Sequence, residues 1–335
     1  MKATMKPKVV TSGVDSEYVL ADLAEFLRSR GFEVIELDFG KVRGCVRALL
    51  SDLSACETVY LTSAHTTLTL RTAKIVAPVF AKLYPNYLAP VEILPLLKPR
   101  SSIFVPHDLL APFGDSNLNE LQFLDLYDHV LAPVATKDLI LAAGVGTQVH
   151  QAGWIKYREQ NRSKTPIAFA PSEIRTSLFL TIIQHMQLKY GVDGFVDYLR
   201  PILSPAINVK LPAWKGIETL ENRIREVTGA NIIPANISSI DLIEASDVVM
   251  CNSISSILAE AYLMGKPCIC LLDQEGGEPG DKRRKMVDFP DLIWHPYEER
   301  HPMSNEFIQS AGATKLPRRI EPFDFRFVES LITDT

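Results

Sequence analysis

The chain is expected to be α/β, with two domains, each built on a parallel sheet with helices on both faces. Three observations lead there. Short apolar strand patterns alternate with helical periodicity along nearly the whole length. Gly and Pro punctuate the alternation where helices should stop. A polar stretch, Trp154–Lys164, divides the alternation into two series. A length of 335 residues, 47% hydrophobic, suits two domains that each bury a core.

In the first series Lys8–Thr11 reads as a strand. Asp15 can cap a helix over Ser16–Arg30, whose apolar positions Val19, Leu20, Leu23, Phe26 and Leu27 have helical spacing. Gly31 ends it, and Glu33–Phe39 is the next strand. A helix over Val42–Leu53, a strand over Thr58–Thr62 and a helix over Thr67–Leu83 follow. Pro85, Pro90, Pro95 and Pro99 then impose a turn-rich passage. Ser102–Pro106 and His129–Ala132 are strands, Lys137–Ala143 a helix stopped by Gly144, and Gln148–Gln151 a last strand.

The second series reads as strand Ile167–Ala170, helix Ser177–Lys189, a helix over Phe195–Ile202 and strand Ile207–Leu211. Helix Thr219–Thr228 is stopped by Gly229. Next comes the densest stretch, Ile232–Leu272. Helix Ser239–Ala245 leads to strand Asp247–Cys251, a polar turn Asn252–Ser256, helix Ile257–Met264, a Gly265-Lys266-Pro267 stop and strand Cys268–Leu272. Hydroxyls gather where a helix begins. Free N–H groups and the positive end of the helix dipole make that a natural anion site. In an open parallel sheet, ligands bind beyond the carboxyl ends of strands, where this turn falls. A loop over Asp273–Lys285, an irregular region over Phe289–Lys315 and a final helix near Phe323–Ile332 complete the chain. The expected domains are 1–155, 156–320, and a terminal helical segment 321–335 packing back on the first.

Lys plus Arg is 35 and Asp plus Glu is 40, a net charge of -5. That balance argues against broad nucleic-acid binding, and no nucleic-acid partner is expected. No apolar run reaches about 18 residues, so no membrane span is expected. The cluster Lys282-Arg283-Arg284-Lys285 is where an anionic acceptor or a weak peripheral membrane contact would attach. The five cysteines form no C-x-x-C pair, which fits reduced thiols, a cytoplasmic protein and no structural zinc. There is no phosphate-binding Walker loop, and Gly144-Val145-Gly146 is too short for a dinucleotide fingerprint. No Asp-x-Asp motif is present. No metal and no cofactor are expected, only a nucleotide-activated substrate.

Three patterns carry a resemblance. They are Ile167-Ala-Phe-Ala-Pro-Ser172, Val209-Lys210-Leu211-Pro212, and Asp247–Ser256 followed by Gly265-Lys266-Pro267. The second half resembles the donor-binding half of the GT-B glycosyltransferase superfamily, nearest to the CDP-glycerol glycerophosphotransferase and capsule-polymer transferase group. The patterns are similar to that group's Ala-Pro-Thr strand end, its Lys-x-His-Pro segment, and its Tyr-Ser-Ser and Lys-Pro signature. Two parallel sheets joined by one linker imply two Rossmann-like domains facing across a cleft, and the resemblance agrees. Leu211 stands where the group has His. Leu272-Asp-Gln-Glu-Gly-Gly-Glu-Pro279 is faintly similar to a loop of the non-hydrolysing UDP-sugar 2-epimerases.

Candidate residues follow from both lines. Asn252, Ser253, Ser255 and Ser256 offer hydroxyls and helix N–H groups to a donor's phosphates, although one Ser serves as a simple cap. Glu260, one turn deeper, would hold the ribose as the resemblance implies, or be a solvated helix charge. Ser172, Glu173 and Arg175 would flank the donor, with Arg175 forking onto a phosphate, or form an ordinary strand–helix loop. Lys210 ends a strand and can reach a phosphate. A transferase base is sought among His107, His65 and Asp15, each just past a strand, though Asp15 reads first as a helix cap.

The expected activity is metal-independent transfer of a sugar from a nucleotide-sugar donor to a hydroxyl acceptor, glycan or lipid-linked. Glycerophosphate transfer, 2-epimerisation and non-catalytic ligand binding are the alternatives.

Overall fold

The computed structural model describes residues 6–12, 19–37, 58–63, 99–106, 109, 124–142, 144–157, 166–181, 183–212, 217–271, 291–294 and 304–334. The chain divides into two compact units, residues 1–158 with 320–335, and residues 159–319.

In the first unit the strands are β1 (Lys8–Ser12), β2 (Val34–Leu37), β3 (Thr58–Thr62), β4 (Ser101–Phe104), β5 (His129–Ala132) and β6 (Gln148–Gln151). They form one sheet in the order β2-β1-β3-β4-β5-β6, and every pairing is parallel. Every residue of β3, β4 and β5 is buried, as expected where helices cover both faces of a sheet. Helix α1 (Ala21–Ser29) buries Leu23, Ala24 and Leu27 and ends before Gly31, whose φ of 85° a residue with a Cβ would resist. Helix α2 is Val134–Ala142.

Two expectations about the middle of the chain are corrected. Trp154 does not open a linker. It is 1% exposed, donates its backbone N–H to Glu321 O and pairs with Pro322 in an isolated parallel bridge. An indole of that size gains more from burial than a linker position allows. Gly153 makes the bridge possible, because its φ is 77° and a Cβ there would collide with the Pro322 carbonyl. The segment Ile167–Ala170 is not a strand either. Its backbone is held by side chains instead: Ala170 N–H donates to Asn208 Oδ1, and Asn231 Nδ2 donates to Ala168 O.

The first strand of the second unit is β7 (Thr176–Phe179), which takes the start of the helix expected over Ser177–Lys189. A short buried apolar run has the same signature in either state, and here the strand wins because all four residues enter the sheet centre. Helix α3 (Ile183–Leu199) follows, broken at Gly191, where φ is 70° and ψ 176°. Then come β8 (Ile207–Lys210), α4 (Glu218–Thr228), β9 (Asn231–Ile232), α5 (Ser239–Ala245), β10 (Val248–Cys251), α6 (Ser256–Leu263) and β11 (Cys268–Cys270). The region expected to be irregular holds β12 (Ile293–Trp294) and α7 (Asn305–Ala313), whose N-cap Ser304 accepts from Phe307 N. The order is β12-β11-β10-β7-β8-β9, again with every pairing parallel. Leu178, Val209, Met250 and Ile269 lie within its core cluster, with Leu220 and Ile224 of α4.

Helix α8 (Phe325–Asp334) packs within the first unit. Asp324 caps it, accepting from Arg326 N and Phe327 N, and Val328 and Ile332 are buried. Phe325 meets Phe26 of α1, and Arg30 grips the Glu329 carboxylate.

Candidate functional site

In the second sheet the chain winds outward from β7 in both directions, toward β9 through β8 and toward β12 through β10. The reversal lies between β7 and β10, and parallel sheets bind ligands beyond the carboxyl ends of the strands at that point. Phe179 and Cys251, the last residues of the two strands, pair in register. Immediately beyond them sits a polar cluster. Asn252 Oδ1 accepts Thr181 N–H at 2.6 Å and Thr181 Oγ1 at 3.1 Å, and Asn252 Nδ2 donates to Thr181 O at 2.9 Å. Thr181 Oγ1 also meets Ser253 Oγ. Asn252 and Ser253 are buried.

The serines therefore do different things. Ser255, extended at φ −145°, is the N-cap of α6 and accepts from Leu258 N. Its hydroxyl also points at Cys251 Sγ, 4.0 Å away. Ser253 ties the turn to Thr181. Ser256, half-buried at the first helical position, is not the cap, and beside it α6 presents the N–H groups that a helix start leaves without helical partners. Glu260 lies one turn deeper and is 1% exposed. Burial above all, then the neighbouring Cys268 and Cys270, pushes the Cys251 thiol well up, and Glu260 adds the smallest part.

Lys210 closes β8, next to β7, on the same edge. It is 6% exposed, and its Nζ donates to Pro234 O at 2.6 Å and Ala235 O at 3.0 Å. Burial lowers its pKa to about 8.

Ser172, Glu173 and Arg175 fall elsewhere. They precede β7, so they stand at the amino edge of the sheet, opposite the cluster. Ser172 closes a local turn with Ile174. Glu173 is exposed. Arg175 makes a two-pronged pair with Asp247, which also accepts the Arg175 backbone N–H. That pairing holds the Asp247 carboxyl below the usual range. The placement follows from β7 replacing the expected strand at Ile167–Ala170: the chain reaches the carboxyl edge only at Thr181, nine residues after Ser172. Thr181 was missed for that reason; its sequence signal is a hydroxyl directly after the apolar run Leu178-Phe179-Leu180.

His107, His65 and Asp15 lie outside the described residues. Each stands three positions past a strand end, after Phe104 of β4, Thr62 of β3 and Ser12 of β1, and those strands adjoin in the first sheet. At the amino edge of the same sheet there is an open concavity of about 690 Å³, lined by Arg100, Asp125, Asp128 and His129 among others. Both carboxylates there already accept protein N–H groups, Asp125 from Gly146 and Asp128 from Ser102. His129 Nδ1 lies 3.0 Å from His150 Nε2, a pair with no signal in the sequence.

Solved structures share this architecture. A putative UDP-N-acetylglucosamine 2-epimerase from Listeria monocytogenes superposes with a TM-score of 0.56 at 12% identity, covering 98% of this chain and 96% of its own. The wall teichoic acid polymerase TagF gives 0.55 at 13%, covering 98% and 88%. The S. aureus MnaA–UDP structure gives 0.52 at 14%, covering 97% and 96%. The chain has the GT-B fold. Its two units are the two Rossmann-like domains of that fold, and the cluster at Thr181 and Asn252 belongs to the second. No protein-family profile matches the chain, and no curated protein matches its sequence. Among the described residues no helix is long and apolar enough to cross a membrane.

Proposed function

We propose that this GT-B protein is a transferase that moves a sugar from a nucleotide-activated donor to a hydroxyl acceptor, with the second domain holding the donor. The observation that carries the reading is the strand-order reversal between β7 and β10, with the Thr181–Asn252–Ser253 cluster and the start of α6 directly beyond it. The donor diphosphate would sit against the α6 N–H groups and the Ser256 hydroxyl. The helix dipole then offsets the charge that develops on the leaving diphosphate, with no metal called for. Glu260 would face the ribose. The first domain would bind the acceptor, glycan or lipid-linked, and supply the base that removes its hydroxyl proton, from among His107, His65 and Asp15. A sugar is favoured over glycerol phosphate because Leu211 replaces the His of the glycerophosphotransferase pattern.

A second reading is supported by the names of the neighbours. One is a putative UDP-N-acetylglucosamine 2-epimerase and another was solved with UDP. A UDP-sugar 2-epimerase would use the same donor site and need no acceptor. A cell-surface polymer role, glycerophosphate transfer and non-catalytic ligand binding follow behind these two.

The first test is a thermal-shift screen with UDP, CDP, GDP, ADP, CMP and inorganic phosphate. A ligand at a hundred times its Kd adds about 2.7 kcal/mol to stability. A shift with one nucleotide, lost on replacing Ser256 by Ala, supports the donor site. Product analysis with and without an acceptor then separates transferase from epimerase. A flat screen sinks both readings.

A further inference from the structure

We infer that Lys210 is a positioning residue, which holds the backbone after β9 so that two of its amides face outward to receive the base of the nucleotide, and not a ligand of the phosphates. The inference rests on the donor-site reading. Its geometry is direct. Lys210 leaves the carboxyl end of β8, and its ammonium is sequestered beneath residues 234 and 235, donating to both of their carbonyls. Among the described residues no other side chain is shown on those two oxygens; Pro234 O also accepts Ile237 N–H.

No cis peptide occurs among the described residues, so each N–H points opposite the C=O of its own peptide group. The Pro234 carbonyl turns in to Lys210, so the Ala235 N–H turns out. The Ala235 carbonyl turns in, so the Asn236 N–H turns out. Residues 234, 235 and 236 are all exposed, and they follow the carboxyl end of β9 on the same edge as Thr181 and Ser256. Two neighbouring outward donors, with no cationic side chain between residues 234 and 238, suit the carbonyl-bearing edge of a neutral ring. They offer a diphosphate little by comparison with the start of α6. Lys at 210 is the side chain this demands, because a compact ammonium carries three donors and can bind two carbonyls at once.

The test compares wild type with Lys210→Met, and with the milder Lys210→Gln should the first fail to fold. Hydrogen exchange at residues 233–238 reads the tie itself, with no ligand present. The Ile237 amide should exchange at least tenfold faster in the variant, while α8 exchanges as before. Ligand-observed NMR with uridine, UDP, cytidine, CDP and pyrophosphate reads the consequence. The nucleoside and its diphosphate should weaken by the same factor, roughly tenfold, and pyrophosphate should not change. A loss confined to UDP, CDP and pyrophosphate would make Lys210 a phosphate ligand and overturn the inference. Unchanged exchange at residues 233–238 would overturn it as well. Wild-type protein that binds none of these ligands, nor GDP or ADP, overturns the donor-site reading, while the exchange result still judges the tie.

Discussion

The side-chain amide of Asn252 grips the backbone of Thr181 from both sides, accepting its N–H and donating to its C=O. One residue thereby fixes the ends of β7 and β10 relative to each other, at the place where the strand order reverses. Replacing Asn252 by Ala leaves two half-buried backbone groups without these partners. Stability should fall by about 2–3 kcal/mol, measured by urea denaturation. Asn252→Asp should do no better, because a carboxylate oxygen would then face the Thr181 carbonyl. A loss under about 0.5 kcal/mol in Asn252→Ala would show that the clamp carries no weight.

Ser255 and Ser256 should separate cleanly. Ser255 caps α6, so Ser255→Ala should cost about 1 kcal/mol of stability. Ser256 is not the cap, so Ser256→Ala should change stability by less than about 0.5 kcal/mol and instead weaken nucleotide binding. Denaturation and calorimetric titration of the two variants check this. Equal stability losses would mean that both hydroxyls serve the helix alone.

Arg175→Ala should leave nucleotide affinity unchanged, because Arg175 and Asp247 are paired at the opposite edge of the sheet. Both partners are more than a third exposed, so the pair contributes at most about 1 kcal/mol. Arg175 lowers the folded pKa of Asp247 below its unfolded value of about 3.9. The contribution is thus complete above that unfolded value and disappears as pH falls through the lower folded one. Wild type should lose more stability than Arg175→Ala on acidification through that window, and parallel curves would remove the pair from the account.

Cys251, Cys268 and Cys270 should resist alkylation in the native protein at pH 8. All three are buried, and burial pushes the thiols of Cys251 and Cys268 up. Only the thiolate reacts readily. Peptide mapping after iodoacetamide treatment, with and without denaturant, gives the answer residue by residue. Labelling of Cys251 without denaturant would mean that the turn beyond β10 opens.

Gly153→Ala should destabilise the protein by about 2 kcal/mol or more. The cost combines a left-handed φ with a collision against the Pro322 carbonyl. Thermal unfolding checks it. A negligible change would mean that the passage through residues 321–323 yields freely.

The regular parts of the chain were legible where local chemistry and burial agree. His129–Ala132 and Gln148–Gln151 are strands with the expected bounds, and Ser239–Ala245 is the expected helix with Ser238 as its cap. Gly229, at φ 66°, stops α4 as its position implied. The run Thr176–Phe179 was misread because a fully buried strand has no alternation, so its pattern equals that of a buried helix turn. That error carried Ser172, Glu173 and Arg175 to the wrong edge and concealed Thr181.

The alternation of strands and helices, the parallel sheets and the hydroxyl-rich turn at the start of α6 are written in local patterns of the chain. Those properties follow from side-chain periodicity, capping and glycine stops, which act over a few residues. Assembly of the sheets settled which hydroxyl is cap and which is tie, and turned the Lys210 ammonium in to two carbonyls. It also decided that Arg175 faces Asp247. Those outcomes depend on strand order and on partners tens of residues away, such as Thr181 and Asn252. No local pattern encodes which donor meets which acceptor once a sheet has brought them together.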